Sequence, residues 1–201
     1  MDKMRFNNQL LSFRRTKIVA TQGPATSTPE VLDAMIAAGV DVFRLNFSHG
    51  THESHAESYR RIREAIARSG RNVAILGDLC GPKIRVGHFE NGSIEIAEGT
   101  RELRVDSVDG TEIVCTVVRG GVISDRKGIN LPNVEISTPS FTEKDREDCI
   151  LACKLGVDYI AISFVRTAEE VLEVKEFIRA QGVDIPVMSK IEKPEAIKNI
   201  E

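Results

Sequence analysis

No apolar stretch in this 201-residue chain approaches the ~20 residues a membrane-spanning helix needs, and its first residues carry no apolar signal-peptide core. Neither sign of charge dominates, with 27 Lys and Arg against 30 Asp and Glu. A net charge of −3 gives no global electrostatic reason to bind nucleic acid, although a local basic pocket stays open. Cysteine is scarce: of Cys80, Cys115, Cys149 and Cys153, the last two stand one helical turn apart, which suits neither a zinc site nor a disulfide framework. Reduced, buried thiols in a cytoplasmic protein are the expectation. A glycine-rich nucleotide loop is also absent. Gly77 to Lys83 lacks the Walker spacing, and no G-x-G-x-x-G follows a strand, so side chains would have to hold any nucleotide. What is present is ordinary for a globular domain, 41% hydrophobic and 28% charged residues, enough to bury a core.

Helix signals alternate with apolar runs. Ser27-Thr28-Pro29-Glu30 reads as a capping box with a first-turn proline, and Gly39 ends that helix. Arg60 to Ser69 reads as a helix closed by Gly70. Thr142 opens another that stops at Gly156, Thr167 opens the next, closing near Gly182, and a last one begins at Pro194. Between them lie strand-like runs at Lys17–Ala20, Val40–Phe47, Val73–Leu76, Val157–Val165 and Ile185–Ile191. A β-α alternation of this kind implies a parallel sheet.

Spacing exposes an insertion. Ile18 to Val42 is 24 residues, Val42 to Val73 is 31 and Tyr159 to Pro186 is 27, whereas Val73 to Tyr159 is 86. Within the excess, Ile94/Ile96, Leu103/Val105 and Ile113/Cys115/Val117 alternate with polar neighbours, and Asn91-Gly92 and Asp109-Gly110 read as hairpin turns. The expected architecture is α/β: a partial (β/α)8 TIM barrel over 1–86 and 140–201, with a small antiparallel β-barrel domain inserted at 87–139. Five strands precede Glu201 where a closed barrel has eight, so the chain reads as a fragment with an uncovered apolar edge and inner face.

Three of the runs end in polar clusters: Arg44-Leu45-Asn46-Phe47-Ser48-His49-Gly50, Gly77-Asp78 and Ser189-Lys190-Ile191-Glu192. The strand period of two puts Arg44, Asn46 and Ser48 on one face and Leu45 and Phe47 on the other, and points Lys190 and Glu192 the same way. Carboxylate, ammonium, guanidinium and amide groups at strand C-termini are how a parallel barrel builds an active site. The plainer alternatives are a lysine snorkelling from a strand end and a Glu192–Lys190 salt bridge.

Six blocks in order resemble the pyruvate kinase family: Arg15 to Pro24, Arg44 to Gly50, Gly77 to Arg85, Arg126-Lys127-Gly128-Ile129-Asn130-Leu131-Pro132, Phe141 to Asp145, and Ser189 to Glu192. The resemblance implies phosphoryl transfer from phosphoenolpyruvate to ADP, giving pyruvate and ATP in glycolysis. Such catalysis is mostly positioning and charge neutralisation. It implies that Lys190 is the catalytic lysine, that Arg44 holds the substrate phosphate, and that Glu192 is a carboxylate ligand of Mg²⁺ or Mn²⁺. Asn46, Ser48, Asp78 and the Leu79 carbonyl would form a monovalent-cation site. Arg85 and Lys127 would meet the nucleotide phosphates, and His49 would lie near them without a catalytic part. The family's second metal carboxylate lies on the next strand, past Glu201, so the chain by itself is expected to be inactive. Lys83 stands where potassium-dependent members carry glutamate, with Leu79 and Val86 where those members carry threonine; its ammonium would replace the ion, and potassium would not be required. A homotetrameric parent is also implied.

Two other readings compete. One is another Mg²⁺-dependent barrel acting on enolpyruvate or 2-oxo acids, such as a lyase or aldolase, against which the inserted β segment speaks. The other is a non-catalytic piece that binds nucleotide or joins a complementary polypeptide.

Overall fold

The computed structural model describes residues 14–96, 102–110, 112–125, 127–129 and 138–200. The chain forms two compact units, Met1–Pro82 with Ser137–Glu201, and Lys83–Ile136.

The first unit is an α/β fold around a five-stranded parallel sheet. Its strands are β1 (Val19–Thr21), β2 (Val42–Asn46), β3 (Ala74–Asp78), β8 (Tyr159–Ile162) and β9 (Val187–Ser189), side by side in that order. Helices α1 (Pro29–Ala38), α2 (His52–Ser69), α3 (Glu143–Leu155) and α4 (Ala168–Ala180) accompany the strands, and a short α5 (Pro194–Lys198) follows β9. Strand alternation decides which side chains meet those helices. Phe43, Leu45, Ile75, Ile160 and Ile162 pack with Leu32 and Ile36 of α1, Ile62 and Ala65 of α2, Cys149 and Ala152 of α3, and Val174 and Ile178 of α4. Each such large side chain, once removed from water, contributes roughly 1.5–3 kcal/mol. On the opposite face Val19, Tyr159 and Met188 are exposed, while Leu76 and Ala161 are buried near its centre.

Two helix starts differ from the sequence expectation. Pro29 occupies the first helical position, where its missing N–H costs nothing, so the cap falls on Thr28 and not on Ser27. Thr28 accepts from Val31 N, and the Ser27 hydroxyl turns back to the Pro24 carbonyl at 3.0 Å. Helix α2 begins eight residues before Arg60, at His52, because Thr51 and Ser54 form a reciprocal cap. Its polar first turns hid it from the apolar period. Gly39, Gly70 and Gly156 end α1, α2 and α3 in the left-handed conformation expected of them.

In the second unit, β5 (Glu102–Asp109) and β6 (Glu112–Arg119) pair antiparallel across Gly110, with Leu103 opposite Val117 and Val105 opposite Cys115. β4 (Ser93–Ile96) pairs antiparallel with β7 (Gly121–Ser124). Asn91-Gly92 therefore makes a turn leading into β4, closed by Gly92 N on the Phe89 carbonyl, and does not join two paired strands. Among the described residues these strands form two separate two-stranded sheets, with Leu103, Val105, Ile113 and Val117 exposed. Arg126 and Asn130-Leu131-Pro132 lie outside the described residues.

Candidate active site

Polar side chains converge where β2, β3 and β9 end. The register sets Thr21 beside Arg44 and Asn46 beside Asp78. Asp78, with a side chain only 3% exposed, receives Arg44 Nε on Oδ2 at 2.5 Å, and Lys190 Nζ lies 2.9 Å from its Oδ1. The ammonium contact is one of charge without hydrogen-bond alignment, since that oxygen accepts no hydrogen bond. Arg44 extends a second arm to the Thr21 hydroxyl at 2.8 Å. Two cations thus share one buried carboxylate, and local charge on these three groups stays positive. The Lys190 amide bonds the Ile162 carbonyl, which ties the end of β9 to β8. Glu192 follows two residues later, with Oε1 3.8 Å from Lys190 Nζ and Oε2 accepting from Phe164 N at 3.0 Å.

Of the residues expected at a monovalent-cation site, Asn46 accepts the Ser48 amide on its own side-chain oxygen at 3.2 Å, a local turn after β2. The carbonyls on either side of Ser48 are both held from helices. Lys144 Nζ donates to Phe47 O at 2.9 Å, and His55 Nε2 meets His49 O at 2.8 Å. Burial holds the His55 imidazole below its ordinary range, partly opposed by the His49 carbonyl and the Asp148 charge. Asp148, 2% exposed, in turn joins Lys144 to His52. The Leu79 carbonyl accepts the hydroxyl of Ser163, itself 3% exposed, at 2.7 Å. Gly81 N donates to Asp145 Oδ1 at 3.0 Å, and Asp145 also caps the start of α3 through Thr142.

Lys83, Arg85 and Lys127 belong to the second unit. There Val86 N donates to Lys127 O, Ile129 N to Ile84 O, and Arg85 bridges Gly128, so Arg85 and Lys127 ride on neighbouring antiparallel segments. The Lys83 stem lies against Gly128, so close that a Cβ there would stand 3.2 Å from Lys83 Cε.

A divalent cation fits the donor chemistry of Glu192. Its side chain is 40% exposed and offers a hard oxygen, Oε1, beyond hydrogen-bond reach of Lys190. No group of three metal-ligating side chains gathers among the described residues. Magnesium commonly takes only one or two protein carboxylates, the remainder being water and substrate oxygen.

The family model described as "Pyruvate kinase, barrel domain" matches residues 13–106 and 93–201. This chain belongs to the pyruvate kinase family. It is 41% identical over 227 residues to the pyruvate kinase of Mycobacterium tuberculosis (strain H37Rv), covering 94% of this chain and 48% of that protein. Identity is 40% to the pyruvate kinases of Corynebacterium glutamicum and Geobacillus stearothermophilus, again over 94% of this chain, with 48% and 39% of those proteins covered. The chain thus spans half or less of the length of these pyruvate kinases. The pyruvate kinase blocks drew attention to Arg44, Asp78, Lys190 and Glu192, but not to Thr21, Ser163 or Phe164, which touch those residues or their neighbours. Thr21 lies inside the Arg15 to Pro24 block and, at the C-terminal end of a strand beside Arg44, carries a signal that period-two reasoning contains. Ser163 and Phe164 carry none, because their partners lie 84 and 28 residues away.

Proposed function

We propose that this chain carries the phosphoenolpyruvate-binding part of a pyruvate kinase, transferring a phosphoryl group to ADP. The observation that supports the reading is the convergence of Arg44 and Lys190 on buried Asp78 at the C-terminal edge of a parallel sheet. A guanidinium fork suits a phosphate's geometry, and Thr21 and Asp78 already orient it. Lys190, with three rotatable donors, turns from Asp78 toward a phosphoryl oxygen and neutralises charge during transfer. Asp78 keeps the two cations together before the anion arrives. Glu192 would hold Mg²⁺ or Mn²⁺, which when bound neutralises carboxylate and enolate oxygens of the substrate.

On the same reading, Asn46, Ser48, Asp78 and the Leu79 carbonyl line a monovalent-cation position, and the Lys83 ammonium makes potassium unnecessary. Arg85 and Lys127 offer the second unit's cations to nucleotide phosphates. The five parallel strands are part of an eight-stranded barrel, and the second unit's two antiparallel sheets are parts of a small barrel. The protein works in the cytoplasm as part of a homotetramer, and the described helices include none long and apolar enough to cross a membrane.

Calorimetry with phosphoenolpyruvate, and pyruvate formation with and without the complementary carboxy-terminal polypeptide of a relative, test this. Expected are binding that is lost in Arg44→Ala and, in the mixture, activity undiminished when a bulky organic cation replaces potassium. Substrate binding that survives Arg44→Ala and Lys190→Met together refutes the site, and strong potassium activation refutes the part given to Lys83.

A further inference from the structure

We propose that Phe164 is a positioning residue for Glu192: its left-handed backbone aims a main-chain N–H at one carboxylate oxygen and leaves the other available to hold a divalent cation. The inference rests on the reading of Glu192 as the carboxylate that holds that cation.

Phe164 has φ = 57°, and it is the only non-glycine residue with positive φ among the described residues. An L-residue with a Cβ is disfavoured there, and a bulky aromatic one is held in place only when its surroundings over-determine it. They do so here. Ser163 before it and Val165 after it are 3% and 4% exposed. The Ser163 hydroxyl is spent on the Leu79 carbonyl at 2.7 Å. Behind the pair lies Gly81, where an added Cβ would stand 2.9 Å from both Ser163 Cβ and Phe164 Cδ2. The Gly81 amide is itself anchored on Asp145 at 3.0 Å. With Ser163 and Val165 both held, Phe164 could reach a relaxed negative φ only by rotating the Ser163–Phe164 peptide plane, which would turn its N–H away from Glu192.

The strained amide points at Glu192 Oε2, 3.0 Å away, from a different strand end. A glutamate side chain has three rotatable bonds, and an exposed one samples many rotamers. Engaging one oxygen leaves Oε1 on the side of Lys190, 3.8 Å from its ammonium and near the Arg44–Asp78 pair. The backbone strain thus orders a metal-holding carboxylate before any ligand arrives, as preorganised sites require.

The test uses Phe164→Gly, Phe164→Asn and Phe164→Val in the 201-residue chain. Glycine and asparagine accept a left-handed backbone, and β-branched valine does not. Mn²⁺ binding is followed by paramagnetic broadening of the backbone amide signals around Glu192 in NMR spectra. Glycine and asparagine are expected to keep the wild-type Mn²⁺ affinity within about twofold, and valine to weaken it about tenfold or more. Exchange protection of the Phe164 amide gives a second readout that needs no metal, present in the wild type and lost in Glu192→Ala; it decides the matter should the valine variant not fold. Affinity that falls with side-chain size, worst for glycine, shows that the ring and not the backbone does the positioning and overturns the proposal. Equal broadening in all variants overturns it while leaving the metal reading of Glu192 intact. No broadening near Glu192 in the wild-type chain removes the metal reading and the inference with it.

Discussion

Asp145→Ala is expected to lower the melting temperature of the sheet unit by about 5–15 °C. Asp145 is 1% exposed and has two tasks. Its Oδ2 receives the Thr142 amide at 3.0 Å and hydroxyl at 2.6 Å, closing the capping box that starts α3. Its Oδ1 receives the Gly81 amide from the segment after β3. Alanine removes the return half of the cap, worth about 1 kcal/mol, and strands a buried N–H at Gly81, costing about 1–3 kcal/mol. The sum is roughly 2–4 kcal/mol, and for a chain of this length each kcal/mol moves the midpoint by about 2–4 °C. Asparagine keeps one acceptor and loses the other, so it is expected to cost about half as much. Circular dichroism melts give the shift, and amide exchange at Gly81 locates it, because only that N–H loses its acceptor from 64 residues away. An alanine variant that melts within about 1 °C of the wild type, or an asparagine variant less stable than alanine, refutes this account of how α3 and the β3 end are joined.

His55→Gln is expected to flatten the pH dependence of stability on the acid side. Because burial depresses the folded-state value below the ordinary 6.5, the unfolded chain binds the proton better, and stability present above pH 6.5 is lost as pH falls below it. Urea midpoints at pH 7.5 and 5.5 should differ less in the variant than in the wild type; equal differences would dismiss His55 as the source. Arg44→Lys keeps the charge but loses the fork shared by Asp78 and Thr21, and is expected to weaken phosphoenolpyruvate binding by about 10–100-fold. Calorimetry showing wild-type affinity would mean that charge alone suffices. Gly77→Ala would place a Cβ 3.2 Å from Phe47 Cε2 and 3.5 Å from Ala152 Cβ, so overpacking between β3 and α3 should cost about 1–3 kcal/mol in a denaturant melt. A neutral result would show that Phe47 yields freely.

Local chemistry in the chain was enough to place the five strand runs, the helices that stop at Gly39, Gly70 and Gly156, and the polar clusters at Arg44, Asp78 and Lys190. Those features depend on period-two burial, left-handed glycine and capping hydroxyls, all of which act over a few residues. Where two local signals competed, the reading slipped. Pro29 moved a cap from Ser27 to Thr28, Thr51 started α2 ahead of any apolar period, and Asn91-Gly92 led into a strand whose partner lies beyond β6. Only the tertiary structure decided that one buried carboxylate at position 78 is shared by cations from β2 and β9, that Ser163 occupies the Leu79 carbonyl, and that a strained Phe164 amide meets Glu192. Each of those contacts joins residues 28 to 112 positions apart, and what they have in common is the parallel register that brings separate strand ends to one edge of the sheet.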